Sequence, residues 1–203
     1  MDRIGIIGGT GLVSIDIEAD HANDLESRGF EIIRTDEVTV QTEFGQVPLK
    51  CISIRYNGKA KELIFLQRHH NDGSANKPPH MINHKANIKA LQSSQCDVIV
   101  SVCSIGAIVS DLPPGKVALA GQYIDFTGIA TSFNDTFAVF TSVTEPFSAE
   151  LNSLLEDSLR NSQSFSIEEK MYYTYWLAQG PHFETRAEVD AIDKLGGEMV
   201  GMT

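Results

Sequence analysis

The 203-residue chain has little of what several functional classes need. No run approaches the roughly 18 apolar residues of a membrane helix. The N-terminus lacks a signal-peptide pattern, because Met1-Asp2-Arg3 leads into a short apolar run that ends in glycines. Basic residues are scarce: 16 Lys and Arg face 27 Asp and Glu, for a net charge of −11. They are scattered, and such a surface repels nucleic-acid phosphates. Cysteine is limited to Cys51, Cys96 and Cys103, an odd number at long spacings beside apolar runs. Reduced thiols in a cytoplasmic protein are the plain expectation. Gly-x-Ser-x-Gly is absent, and so is a His-Glu-x-x-His helix. His80 and His84 have a chelating spacing, but no Glu, Asp or Cys shares their face, so no metal site is expected.

What is present is an alternation of strand and helix signals. Arg3 to Ile7 is apolar and β-branched and runs into Gly8-Gly9-Thr10-Gly11. Glu37–Thr42, Leu49–Tyr56 and Glu62–Gln67 read as further strands. A polar loop spans Arg68 to Pro79. A helix is expected over His80–Gln95, with Ile82, Ala86, Ala90 and Leu91 on one face. Asp97–Cys103 is nearly all apolar, which suits a strand covered on both sides. Lys116–Ile124 and Met171–Ala178 are strands, with an amphipathic helix after Glu145-Pro146 carrying Leu151, Leu154, Leu155 and Leu159. Thr185 and Glu188 have capping-box spacing. They open a helix with a Val189, Ile192 and Leu195 stripe, stopped by Gly196-Gly197. Glu198–Met202 is a last strand. No repeat or linker divides the chain. The expectation is one α/β domain over residues 1–203, with a mixed central sheet flanked by helices.

Strand after strand ends on small polar residues or cations. The ends are Gly9-Thr10-Gly11, Arg68-His69, Cys103-Ser104-Ile105-Gly106 and Met202-Thr203. In open α/β sheets the carboxyl edge is where ligands bind. Glycine turns expose N–H groups, hydroxyls donate, and arginine forks onto oxyanions, so the chemistry favoured is anion binding. The alternative is that each set only makes a turn. Gly9-Thr10-Gly11-Leu12-Val13-Ser14 also falls one residue short of the dinucleotide fingerprint, with Glu31 near the ribose-acid position. A Rossmann oxidoreductase therefore stands as a third reading.

The ordered set of segments resembles the purine nucleoside phosphorylase and methylthioadenosine (or methylthioinosine) phosphorylase family. Gly5-Ile6-Ile7-Gly8-Gly9-Thr10-Gly11-Leu12 is similar to the family's opening, and Arg68-His69 to its phosphate-binding pair. Pro78-Pro79-His80 with Asn83, Ala86-Asn87-Ile88 and Ala90-Leu91 resembles its following helix. Pro114-Gly115 and Gln122-Tyr123-Ile124-Asp125 resemble the middle. Gly180-Pro181-His182-Phe183-Glu184-Thr185 with Ala187-Glu188, and Val200-Gly201-Met202-Thr203, resemble the late signatures.

The resemblance implies phosphorolysis of purine nucleosides or 5'-methylthionucleosides to free purine and a sugar 1-phosphate, in purine salvage. It implies inorganic phosphate as co-substrate, no metal or organic cofactor, and a homotrimer or homohexamer. It places Thr10, Arg68, His69, Cys103, Ser104 and Thr203 at phosphate, Met202 under the ribose, and Phe183 and Glu184 at the base. A Glu there accepts from the ring N1–H of a 6-oxopurine, which favours inosine-like substrates. The family continues past its Met-Thr to an Asp or Asn on purine N7, so no catalytic residue is assigned within 1–203. A truncated, catalytically impaired remnant is the second reading. His70, His182 and Phe140 stand where the resemblance expects Gly, Arg and His, and Val102-Cys103 where it expects small polar residues.

Overall fold

The computed structural model describes residues 2–12, 25–70, 76–129, 132–162 and 170–203. Most of the weakly patterned stretch Ile15–Arg28 and part of the Arg68–Pro79 loop lie outside the described residues. The chain forms two compact units, Met1–Ser104 with Thr131–Phe133, and Ile105–Ala130 with Asn134–Thr203. The mixed α/β class expected from the sequence holds, distributed over two sheets.

The first unit carries a five-stranded sheet in the order β2-β3-β4-β1-β5. Its strands are β1 (Arg3–Gly8), β2 (Phe30–Thr42), β3 (Gly45–Tyr56), β4 (Lys59–Gln67) and β5 (Val98–Val102). β2, β3 and β4 form an antiparallel meander, while β4, β1 and β5 run parallel. The β2–β3 hairpin turns at Gly45, whose φ of 134° disfavours a side chain. The Thr42 hydroxyl secures the turn by donating to Gly45 O at 2.7 Å and accepting Phe44 N–H at 3.1 Å.

Helix α1 (His84–Ser93) covers one face of this sheet. Ala86, Ala90 and Leu91 pack with Val47, Leu49, Ile64 and Leu66. The helix starts later than the sequence pattern suggests. Pro79–Met81 is a separate 3-10 turn, and Ile82 is extended. Asn83 then caps the helix, its side chain accepting Ala86 N–H at 3.0 Å. Asp97–Cys103 was expected to be covered on both sides. Among the described residues β5 pairs only with β1, and Ile99 and Val102 are exposed. An apolar run reports a preference for burial and does not name the neighbour that supplies it.

The second unit carries a four-stranded sheet in the order β6-β9-β8-β7. β7 (Leu119–Asp125), β8 (Tyr172–Leu177) and β9 (Met199–Gly201) are parallel, and β6 (Gly106–Ala107) is antiparallel to β9. Leu112, Tyr173 and Met199 centre its core. Helix α2 (Ala149–Asn161) is capped by Ser148. Helix α3 (Arg186–Lys194) has the expected capping box in full: Thr185 N–H donates to Glu188 Oε2 at 2.7 Å, and Glu188 N–H to Thr185 Oγ1 at 3.2 Å. Ile192 is its buried anchor, whereas Leu195, expected in the buried stripe, is the C-cap residue and is exposed.

Candidate functional site

Parallel pairing decides where the polar strand ends go. Gly8 lies opposite both Gln67 of β4 and Val102 of β5. The segments that follow, Gly9-Thr10, Arg68-His69 and Cys103-Ser104, therefore leave one edge of the first sheet together. Two hydrogen bonds tie them beyond the strands. Gly9 N–H donates to Val102 O at 2.8 Å, and Arg68 N–H donates to Gly8 O at 3.1 Å. A Cβ on Gly9 would sit 3.2 Å from Cys103 Cα and Val102 O, and one on Gly11 would sit 3.0 Å from the Ser104 hydroxyl. The glycines thus bring backbone and hydroxyl into close approach. Thr10 and Ser104 are exposed at this edge, Cys103 is half-buried, and Arg68 and His69 are 6% and 2% exposed.

The turn after β4 is held from several sides. His69 Nδ1–H donates to Lys77 O at 2.8 Å, and Lys77 N–H donates back to His69 O at 2.8 Å. His70 N–H donates to Gln67 O at 3.1 Å. Burial pushes the His69 imidazole below its ordinary pKa, and the Arg68 charge adds to that. The Lys77 hydrogen bond opposes both. The ring is therefore neutral at pH 7, with Nδ1 carrying the proton. Its Nε2 is buried and has no hydrogen-bond partner among the described residues. A neutral Nε2 is an acceptor, suited to an oxyanion that carries a proton. Burial likewise raises the thiols of Cys51 and Cys96, which keeps them protonated.

The other site residues lie in the second unit, at the ends of β8 and β9. Met202 packs against Gly180, where a Cβ would fall 2.5 Å from the Met202 sulfur. Thr203 N–H donates to the Tyr175 hydroxyl at 3.0 Å, and Thr203 Oγ1 is buried without a hydrogen-bond partner among the described residues. Glu184 is half-buried and lines a cavity of about 300 Å³ with Phe126, Trp176, Gln179, His182 and Glu188. Phe126 and Trp176 meet edge to face there, with ring centroids 5.3 Å apart. Phe183 does not line this cavity and is 87% exposed. An aromatic ring followed by a capping Thr reads as a packed or ligand-facing group, and its exposure is not visible in the pattern.

Among the described residues no three His, Cys, Asp or Glu side chains come together to hold a metal. His80 and His84 do not share a helix face, because the chain is extended at Ile82 between them. His182 Nδ1 lies 2.9 Å from Phe183 O. Phe140 is 96% exposed. Sequence reasoning gave a site role to neither Asn87 nor Tyr175, although each bonds to a site residue. A buried amide on an otherwise apolar helix face was the available signal for Asn87. Among the described residues, no helix is long and apolar enough to cross a membrane.

A family model described as the phosphorylase superfamily matches residues 3–203. A probable 6-oxopurine nucleoside phosphorylase from Thermococcus kodakarensis is 33% identical over 212 residues, covering 100% of this chain and 71% of the relative. A probable S-methyl-5'-thioinosine phosphorylase from Methanocaldococcus jannaschii is 32% identical, covering 98% and 69%. Among solved structures, a methylthioadenosine phosphorylase from an antarctic soil metagenomic library superposes with a TM-score of 0.77 at 26% identity, covering 98% of this chain and 64% of that one.

Proposed function

Because this chain belongs to the phosphorylase superfamily, we propose that it carries out phosphorolysis of purine nucleosides or 5'-methylthionucleosides, with 6-oxopurines preferred. The carrying observation is the convergence of three parallel strand ends, which gathers Gly9, Gly11, Ser104, Arg68 and His69 at one edge. Backbone N–H groups, hydroxyls and a guanidinium are the donors a phosphate takes.

In the proposed reaction a phosphate oxygen bonds to the anomeric carbon as the bond to the purine nitrogen breaks. The electron pair leaves with the purine, which takes up a proton. Positioning and charge stabilisation supply the rate, since the transition state is oxocarbenium-like. Thr10, Arg68, His69, Cys103 and Ser104 hold the phosphate in this reading. His69 accepts from a protonated phosphate oxygen. Met202 packs under the sugar, Thr203 offers its hydroxyl to a substrate oxygen, Glu184 meets the base at the cavity it lines, and the exposed Phe183 ring is offered to the base from outside that cavity. Glu184 accepts the N1–H of a 6-oxopurine, a donor that 6-aminopurines lack. Relatives named for 6-oxopurine and methylthioinosine substrates support that preference.

The reaction needs inorganic phosphate as co-substrate and no metal or organic cofactor. A homotrimer or homohexamer is part of the same proposal. The exposed Phe137, Val139, Phe140 and Val143 supply an apolar surface for a second copy. A cytoplasmic location fits the three free thiols.

The test is purine release from inosine, guanosine, methylthioinosine and methylthioadenosine, each with and without phosphate. Phosphate-dependent release, greater from the 6-oxopurines, is expected. Release that ignores phosphate would overturn the reading.

A further inference from the structure

Asn87 lies on the face of α1 that buries Ala86, Ala90 and Leu91, and it is itself only 3% exposed. An amide in such an apolar stripe is costly unless its hydrogen bonds are made. Asn87 makes them to the turn that carries the anion-binding pair. Its Nδ2–H donates to Arg68 O at 3.3 Å, and its Oδ1 lies 2.8 Å from His70 Nε2. Because the amide nitrogen is committed to a carbonyl, Oδ1 is the acceptor and His70 Nε2 carries the proton. A single side chain thus grips the residue before His69 and the residue after it.

We propose that Asn87, with His70, is the positioning residue for the phosphate-binding Arg68–His69 pair. The inference rests on the phosphate role given above to Arg68 and His69. Asn87 touches no substrate; it fixes the turn from which both side chains project. Further restraints among the described residues act elsewhere on the turn: Gly8 O takes the Arg68 N–H, Gln67 O takes the His70 N–H, and Lys77 brackets His69. Asn87 ties the turn to helix α1, and α1 is anchored by the sheet core. Freed from it, the turn can shift relative to the glycine and Ser104 edge. An anion held by several donors at once loses affinity with a small displacement of any of them.

Asn87→Leu separates packing from positioning, since leucine has the same four-atom side chain branched at Cγ and suits the apolar stripe. Asn87→Asp keeps the acceptor for His70 and removes the donor to Arg68 O. His70→Ala removes one of the two bonds and leaves the helix face intact, which keeps the test available if an Asn87 variant does not fold. In the full chain, phosphate KM is expected to rise roughly 10- to 100-fold in the Asn87 variants, and less in His70→Ala. The nucleoside KM should stay within about twofold, as should kcat at saturating phosphate.

Hydrogen exchange at the Arg68 and His70 amides provides a readout independent of turnover, and it should accelerate in the same variants. Unchanged phosphate KM and unchanged exchange in folded Asn87→Leu would overturn the proposal while leaving the phosphorylase reading in place. If the unaltered chain shows no phosphate-dependent release, the phosphorylase reading fails. Accelerated exchange in Asn87→Leu would then still support anchoring of the turn, and unchanged exchange would overturn it.

Discussion

Met202 lies so close over Gly180 that a β-carbon there would come within 2.5 Å of its sulfur. Gly180 also has a φ of 67°, a conformation that side chains rarely adopt. Gly180→Ala therefore meets a clash and backbone strain together. It should destabilise the chain by about 1–3 kcal/mol. In the proposed reaction it should also raise the nucleoside KM, because Met202 must move. Denaturant melts and steady-state kinetics check the two effects separately.

The Tyr175 hydroxyl accepts the Thr203 N–H, and Gly201 leaves room for its ring. Tyr175→Phe keeps the ring and removes the acceptor. The Thr203 amide should lose its exchange protection, with a stability loss of about 1 kcal/mol. Unchanged exchange at Thr203 would contradict this.

His69 gives a pH dependence with a definite sign. Its pKa is lowered in the folded chain, chiefly by burial, so the unfolded chain binds the proton more readily. The stability this contributes is present above the ordinary imidazole value of about 6.5 and is lost as pH falls through the lower folded value. Melts between neutral and acidic pH should show a decline that His69→Asn flattens.

Thr185→Ala removes half of the capping box of α3, leaving the Glu188 N–H without its side-chain acceptor. A loss of about 1 kcal/mol is expected by thermal or denaturant melting. Because Glu184 immediately precedes the cap, preference between inosine and methylthioadenosine should also narrow.

Much of this was legible before any coordinates. Glycine turns, Arg68-His69 and Ser104 each marked a strand end, and the parallel pairing of β4, β1 and β5 is what makes them one edge. That pairing is a long-range property that no single segment encodes. The capping box at Thr185 was legible because its partners are three residues apart. The start of α1 was not, since the helical stripe includes Ile82, which packs in the core from an extended backbone. Two-residue β6 is too short to show a period. Asn87 and Tyr175 act on residues 19 and 28 positions away, beyond the reach of local patterns.

The central claim is that phosphate attacks the sugar of a purine nucleoside. Incubating the chain with inosine and radiolabelled inorganic phosphate, and counting label in ribose 1-phosphate against hypoxanthine released, tests it most directly. The account predicts equal amounts of the two products. Hypoxanthine without labelled sugar phosphate, or no hypoxanthine from a folded sample, would contradict it.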